Sequence, residues 1–357
     1  MRLRKILFAV FLFTSVSAAA ADGFKNEELL NLQVMARFDY QRYFIDGSSD
    51  RENCGFRGKN LSVYLHGNLN GHLSYAYRQR LNRAHKDEAF FDATDFLYLA
   101  YKTDSDWKFS AGKQTILLGG YEYDLAPIDS YFVSEYSNNM NCYQLGASVE
   151  KTLGEEKNDL LQFQFCMSPY VGAVDNKDIY SYNFMWTAEH GVFQPMWSLN
   201  FVEYQSGKFM NYISLGNNFS FRRVSFFVDV MHRSLLHNYT FFKDFTVVGK
   251  VTFDLCDRAR LFVKAGHDYN NLKKAGDWSV LPGTSIARFG CGFEFFPLKD
   301  NKDLRLHAVG SHNTGKNGNP AGTLLDKQSY LSVGLTWRMN LFCLPLRNKT
   351  KNYEKFH

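Results

Sequence analysis

Arg78 and Arg80 stand two residues apart in the run LSYAYRQRLN, Leu73 to Asn82. In an extended chain successive side chains alternate between faces, so both guanidiniums project from the same side. Fixed cations beside an aqueous path attract and pass small anions without any covalent step. The same parity argument collects Arg37, Lys102, Lys108, Arg233, Lys250, Arg260, Lys264, Arg288, Arg305 and Arg338 as further wall bases. Seven acids share that face: Asp39, Glu150, Glu189, Asp229, Asp254, Asp268 and Glu294. Twelve bases against seven acids is a modest anion-attracting bias. For any one of them the plainer reading is a solvated wall residue. Asp87 and Glu88 are near enough in sequence to compensate Arg78 and Arg80 if their loop folds inward.

A second group of charges is acidic. The longest connection, Gly119 to Asn141, holds Glu122, Asp124, Asp129 and Glu135 and no Lys or Arg. Long connections without their own secondary structure are usually functional. Folded into a lumen as a constriction, this one would set negative charge opposite a mildly basic wall. Such a transverse field passes small polar solutes without a strong choice of ionic sign. The alternative reading has Tyr121, Tyr123 and Tyr131 packing the loop while its acids accept bonds from nearby backbone N–H groups.

Covalent chemistry has less support. No GxSxG is present and no catalytic residue can be singled out. Cys54, Cys142, Cys166, Cys256, Cys291 and Cys343 form no CxxC and no Cys/His ligand spacing, so neither a metal site nor a cofactor is expected. An even cysteine count in an exported chain permits disulfides. The wide, irregular spacing inside strand-like runs favours small apolar wall residues.

The elements that must hold these charges are strands. Period 2 recurs along the chain: Leu161, Phe163, Phe165 and Met167 alternate with Gln162, Gln164 and Ser168, and Leu331, Val333, Leu335 and Trp337 with Ser332, Gly334, Thr336 and Arg338. Sixteen such runs are predicted, at 32–44, 59–67, 72–83, 93–102, 107–118, 142–153, 158–168, 180–190, 194–204, 209–217, 222–235, 244–256, 258–270, 285–296, 303–312 and 328–340. Connections after even-numbered runs are short and polar, and those after odd-numbered runs are long. Gln205 to Lys208 breaks the rule, which suggests a misplaced strand there. All seven prolines fall in loops, at strand ends or in the tail.

The whole composition agrees. The 357 residues are 45% hydrophobic and 17% aromatic, with 33 Phe and 21 Tyr, yet mean hydropathy is −0.33. That disfavours helical spans, which need about 20 consecutive apolar residues. It equally disfavours disorder, whose signature is few aromatics. The first 21 residues read as a secretory signal: basic Met1–Lys5, apolar Ile6–Phe13, then small residues to Ala21. Removing its three bases lowers the net charge from +5 to +2, which argues against a nucleic-acid partner. In hydrocarbon every backbone polar group needs a partner, so a spanning sheet must close on itself. The expected architecture is an all-β, transmembrane antiparallel β-barrel of about 16 strands over residues 22–340, with an inward-folded third loop and a tail at 341–357. A soluble β-sandwich would also alternate. The even strand count, the alternating loop lengths and the export signal favour the barrel.

The stretch GKQTILLGGYEYDLAPIDSYFVSEY, Gly112 to Tyr136, resembles the phosphate-selective porin O and P family, particularly its Bacteroidetes-type members. LSYAYRQRLN, ATDFLYLAY (Ala93 to Tyr101) and VGLTWR (Val333 to Arg338) support the resemblance, which runs loosely over nearly the whole mature chain. It implies a sixteen-stranded homotrimeric porin in a Gram-negative outer membrane, with outer-membrane lipid and small ions or anionic solutes as its partners and the third loop as the constriction. Phosphate porins line their path with Lys and Arg, whereas the matching loop here is acidic, a departure that puts phosphate capture in doubt. A non-conducting structural or adhesion barrel and an outer-membrane barrel enzyme are the competing readings.

Overall fold

The computed structural model describes residues 28–83, 90–173, 178–237, 239–272, 276–320, 322 and 324–346. The signal segment 1–21, Asp87 and Glu88, and most of the tail lie outside the described residues. Sixteen strands cross: β1 (Glu28–Ile45), β3 (Gly55–Asn68), β4 (Leu73–Arg80), β5 (Thr94–Lys102), β6 (Trp107–Thr115), β7 (Tyr143–Leu153), β8 (Asp159–Met167), β9 (Tyr180–Ala188), β10 (Phe193–Gln205), β11 (Lys208–Ser220), β12 (Val224–Leu235), β13 (Asp244–Cys256), β14 (Ala259–Asn270), β15 (Thr284–Phe295), β16 (Leu304–Lys316) and β17 (Lys327–Pro345). The two-residue strand β2 (Ser48–Ser49) sits in the first loop.

Each strand pairs antiparallel with its neighbour, and β1 pairs with β17 from Glu28↔Pro345 to Ile45↔Gln328. That pairing closes the sheet and leaves no edge along most of its height. One face of the wall is apolar and exposed, as at Leu97, Leu99, Phe184, Val263, Phe289 and Val333, and the opposite face is polar and largely buried. Alternation therefore sends greasy side chains to lipid and polar ones inward.

Two sequence expectations change. The connection between β10 and β11 is a two-residue turn, Ser206–Gly207, although it lies on the long-loop rim. The strand assignment was correct and the loop is simply short. The barrel also runs past residue 340: Asn340 to Pro345 continue β17 and pair with β1, so the tail begins about five residues later. The reason is a bulge at Leu341, between the Leu32↔Phe342 and Gln33↔Asn340 pairs, which restores the outward parity of Phe342 and Leu344 and hides the strand from a period-2 reading. None of the six cysteines forms a disulfide.

Candidate functional site

The connection from Ile116 to Cys142 turns back over the polar face of the wall. Leu117 N–H donates to Gln164 Oε1 on β8 at 3.0 Å, and Asn200 Nδ2 on β10 donates to the Leu117 carbonyl at 2.6 Å. Gly119 N–H then reaches Ser198 Oγ at 2.8 Å. The Gly119–Gly120 pair is needed for this approach. A Cβ on Gly216 of β11 would stand 2.9 Å from Gly120 Cα, and Gly120 itself adopts φ +121°, which L-residues avoid.

Two wall carboxylates then grip the loop's shoulders. Asp229 on β12 accepts Tyr121 N–H at 2.9 Å and Glu122 N–H at 2.7 Å, one on each oxygen. Asp268 on β14 accepts Glu135 N–H at 2.8 Å and Tyr136 N–H at 3.3 Å in the same way, and Thr246 Oγ1 as well. Glu135 opens a five-residue helix, α1 (Glu135–Asn139), capped by Ser134. Consecutive N–H groups at a turn or helix start are unsatisfied donors, and an ionised acceptor makes the stronger bond.

The tip is held by bases. Asp129 meets Arg305 at 2.8 Å and Arg338 at 2.5 Å, and Arg37 Nη1 donates to the Ser130 carbonyl at 2.7 Å. Lys264 bridges Glu122 at 2.6 Å and donates to the Phe132 carbonyl at 2.7 Å, while Arg288 donates to the Val133 carbonyl at 3.0 Å. Tyr131 stacks on Phe262 at an interplanar angle of 7°, donates to Glu294, and lies under the Arg37 and Arg305 guanidiniums. Ile128 packs into Met35, Tyr64, Ala76 and Phe96.

The expected transverse field is thus replaced by direct contact. Glu122 and Asp129 do not face the basic wall across open space; they are paired to it. Burial alone would raise Asp129, but Arg338 and Arg305 outweigh it and hold the carboxyl at about 2. Burial likewise opposes ionisation of Glu122, and Lys264, Ser134 and Ser137 more than compensate, leaving it below its ordinary value. Asp124 has no such partner: burial, then the Asp229 charge, push it well above the usual carboxylate range. Glu135 accepts from Asn139 and Asn319. The alternative reading of the loop is also met in part, since Tyr123 sits in the interior apolar cluster and Tyr121 stacks on Phe227.

The wall bases separate into three kinds. Arg78 and Arg80 both reach Asp95, at 2.9 and 2.7 Å. Arg260 and Arg305 share Glu294, and Arg37 grips Asp39 at 2.6 Å. Arg233 is fully buried between Asp244 (2.8 Å) and Asp277 (2.7 Å). Lys108 pairs with Glu150, and Lys102 sits half-exposed at the short-turn rim beside Asp106. Lys250 and Arg288 have no carboxylate within 4.0 Å among the described residues; Lys250 lies over the Phe262 ring and Arg288 over Phe132. Lys59 is a third such cation. It occupies a bulge in β3 opposite Arg37/Phe38 and points toward the Tyr330 ring.

Sequence parity missed Lys59, Asp95 and Asp277. Bulges shift Lys59 and Asp95 out of phase, the latter between the Arg78↔Phe96 and Gln79↔Thr94 pairs, and Asp277 lies in a loop. Nothing in local spacing could have connected Asp277 to Arg233.

A closed sixteen-strand barrel with lipid-facing apolar residues, a charged interior and short turns on one rim defines an outer-membrane porin, a passive-diffusion channel of the Gram-negative outer membrane. Residues 30–196 match the family described as phosphate-selective porin O and P. Among solved structures it is similar to the anion-selective porin of Comamonas acidovorans, with 10% identity, TM-score 0.62, and coverage of 88% of this chain and 100% of the other. It is also similar to the outer-membrane channel DcaP of Acinetobacter baumannii (12% identity, TM-score 0.61, 87% and 97% covered). OmpF of Salmonella typhi, solved with daunomycin, aligns at 10% identity and TM-score 0.59 over 88% and 99%. No curated protein matches. At these identities the structural likeness establishes the fold.

Proposed function

We propose that the channel is narrow, that the 116–142 loop is its constriction, and that it favours small hydrophilic solutes with a mild preference for anions. One observation carries this reading. Three carboxylates, Asp95, Asp129 and Glu294, each serve two arginines, while Lys59, Lys250 and Arg288 have no carboxylate partner among the described residues. Along β1, β3–β5 and β13–β17 the bases outnumber the acids that neutralise them, and a low-dielectric wall strengthens their pull on a passing anion.

Phosphate specificity fits this interior poorly. The arginines and Lys264 nearest the loop already bind its acids and carbonyls, so a phosphate would have to displace Asp129 or Glu122 to gain their donors. A homotrimer is the assembly we favour, in keeping with the trimer form of OmpT from Vibrio cholerae, to which the barrel is similar (TM-score 0.57, 12% identity). Residues 1–21 serve in this reading as the export signal, removed near Ala21. The family match and the fold point to a channel rather than an enzyme.

Recording in planar bilayers tests the proposal. Small stepwise conductances are expected, with a reversal potential in a KCl gradient that favours chloride and is unmoved by millimolar phosphate. A heat-modifiable barrel that stays silent would sink the channel, and a phosphate block would overturn the doubt about specificity.

A further inference from the structure

One cavity of the molecule lies outside the barrel. It is a groove of about 720 Å³ on the lipid-facing side of β6–β10, within the roughly 300–1,000 Å³ typical of small-molecule sites. Cross-strand pairing explains its shape. Trp107, Lys151, Leu161, Trp186 and Trp197 form one continuous outward row, and Phe163 lies in the next row up. The walls are tryptophans and the floor is apolar, with Leu161, Phe163, Phe184 and Leu199. Trp186 and Trp197 pack edge to face with centroids 5.1 Å apart, and each indole N–H is fixed, to Asp159 and to Asn217. Trp107 stands opposite, under the Lys151 ammonium at 5.3 Å.

The groove opens at the short-turn rim, which is the periplasmic one. Its mouth carries charges of both signs. Lys151 reaches the Ser105 carbonyl, and Lys157 and Lys102 flank Asp106 at 2.8 and 3.7 Å. Asp104, Glu155 and Glu156 are exposed on the same two turns. A wholly anionic headgroup would meet four carboxylates against three ammonium groups. A zwitterion, with phosphate toward Lys151 and amine toward the turn carboxylates, satisfies both. The body of the groove needs an occupant that is apolar and flexible, because a second convex barrel would bridge the concavity and leave it empty.

We propose that this groove binds one phospholipid of the periplasmic leaflet with an amine-bearing, zwitterionic headgroup, its acyl chain between Trp107 and the Trp186–Trp197 pair and its phosphate at Lys151.

The test uses the full chain, extracted from outer membranes in mild detergent, with native mass spectrometry counting retained phosphatidylethanolamine and phosphatidylglycerol. One phosphatidylethanolamine per protomer is expected to persist. Leu161→Trp, which fills the floor, should lower that occupancy about tenfold, the equivalent of roughly two methylenes lost from contact. Val263→Trp, elsewhere on the lipid face, should leave it unchanged. Lys151→Ala should release the lipid more readily without altering heat-modifiable mobility, and it stands in for Leu161→Trp if that variant does not fold. Equal retention in the filled or Lys151 variants would overturn the proposal. So would loss of the oligomer in Leu161→Trp with lipid content unchanged, which would assign the groove to a second copy.

Discussion

Two halves of the barrel interior solve the same problem differently. Along β8–β12 the loop packs an apolar cluster of Ile116, Leu118, Tyr123, Tyr136 and Met140 against Cys166, Val202, Met210, Tyr212 and Met231, with Tyr170, Ile179 and Val280 from neighbouring loops. One arginine, Arg233, serves that half and has two carboxylates to itself. Along β1, β3–β5 and β13–β17 the apolar clusters are smaller, Ile128 against Met35, Tyr64, Ala76 and Phe96 and Phe132 against Phe262 and Val309, and the loop is also held by arginines that outnumber their acids. The first half is built like a protein core, where a lost partner leaves a buried charge. The second is built like a conduit wall, where each carboxylate already answers to two bases and one base can be spared. Apolar packing is concentrated on one side, and the proposed selectivity on the other.

The largest effect should come from breaking the packed half. Arg233→Met removes the counter-charge of both Asp244 and Asp277 and strands Arg233's bond to Thr246. Removing one partner of a buried ion pair costs about 3–5 kcal/mol. A marked fall in the temperature of heat-modifiable unfolding is expected. Arg80→Met, in the other half, leaves Asp95 with Arg78 and should cost about 1.5–3 kcal/mol, the worth of one charged hydrogen bond. Comparable midpoints for the two variants would erase the distinction between the halves.

Next in size is the grip on the loop. Asp229→Ala leaves the Tyr121 and Glu122 N–H groups without acceptors, and Asp268→Ala does the same to Glu135 and Tyr136. Each stranded buried donor costs about 1–3 kcal/mol. Larger, noisier single-channel steps are expected from either variant. If the conductance of both equals that of the parent, these carboxylates do not set the loop's position.

Much of this architecture was legible from the chain, and the reason is geometric. A barrel strand has one wet and one greasy face, so parity alone placed Arg37, Arg78, Lys264, Arg305 and Arg338 on the inner wall, and loop lengths identified the two rims. What stayed hidden were contacts between wall and loop. Asp129 lies 176 residues from Arg305 and 209 from Arg338, and no periodicity records which wall residues a folded-back loop will meet. Bulges did the rest. Lys59 and Leu341 both sit where one extra residue reverses parity, and both fell outside the pattern for that reason.

A smaller effect is expected from the unpaired cations of the conduit half. Lys250→Gln with Arg288→Gln should lower the anion-to-cation permeability ratio about two- to threefold, as expected for charges partly screened by salt. Arg260→Gln, whose charge is shared with Asp254 and Glu294, should move the reversal potential less. The opposite order would show that paired arginines, not free cations, set the selectivity.

The smallest effect is one of pH, and its sign separates the loop's two contrasting acids. Asp129 is held at about 2, below its ordinary 3.8, so its stabilising charge is fully present above the ordinary value and is lost only as pH falls through about 2. Asp124 is shifted the other way, so ionising it costs stability and its neutral form is the one the interior accommodates. Between pH 7 and pH 4 Asp129 therefore keeps its grip on Arg305 and Arg338, and the contrast between the parent and Asp129→Asn should persist across that range. Asp124→Asn should leave the loop as stable at neutral pH as in the parent, or more so. Asp129→Asn should reproduce at neutral pH the looser, noisier channel that the parent reaches only in strong acid. A step in parent conductance between pH 7 and pH 5 that Asp124→Asn abolishes would mean that Asp124 is ionised at neutral pH and that the packed half tolerates a free charge, which its core-like construction should forbid.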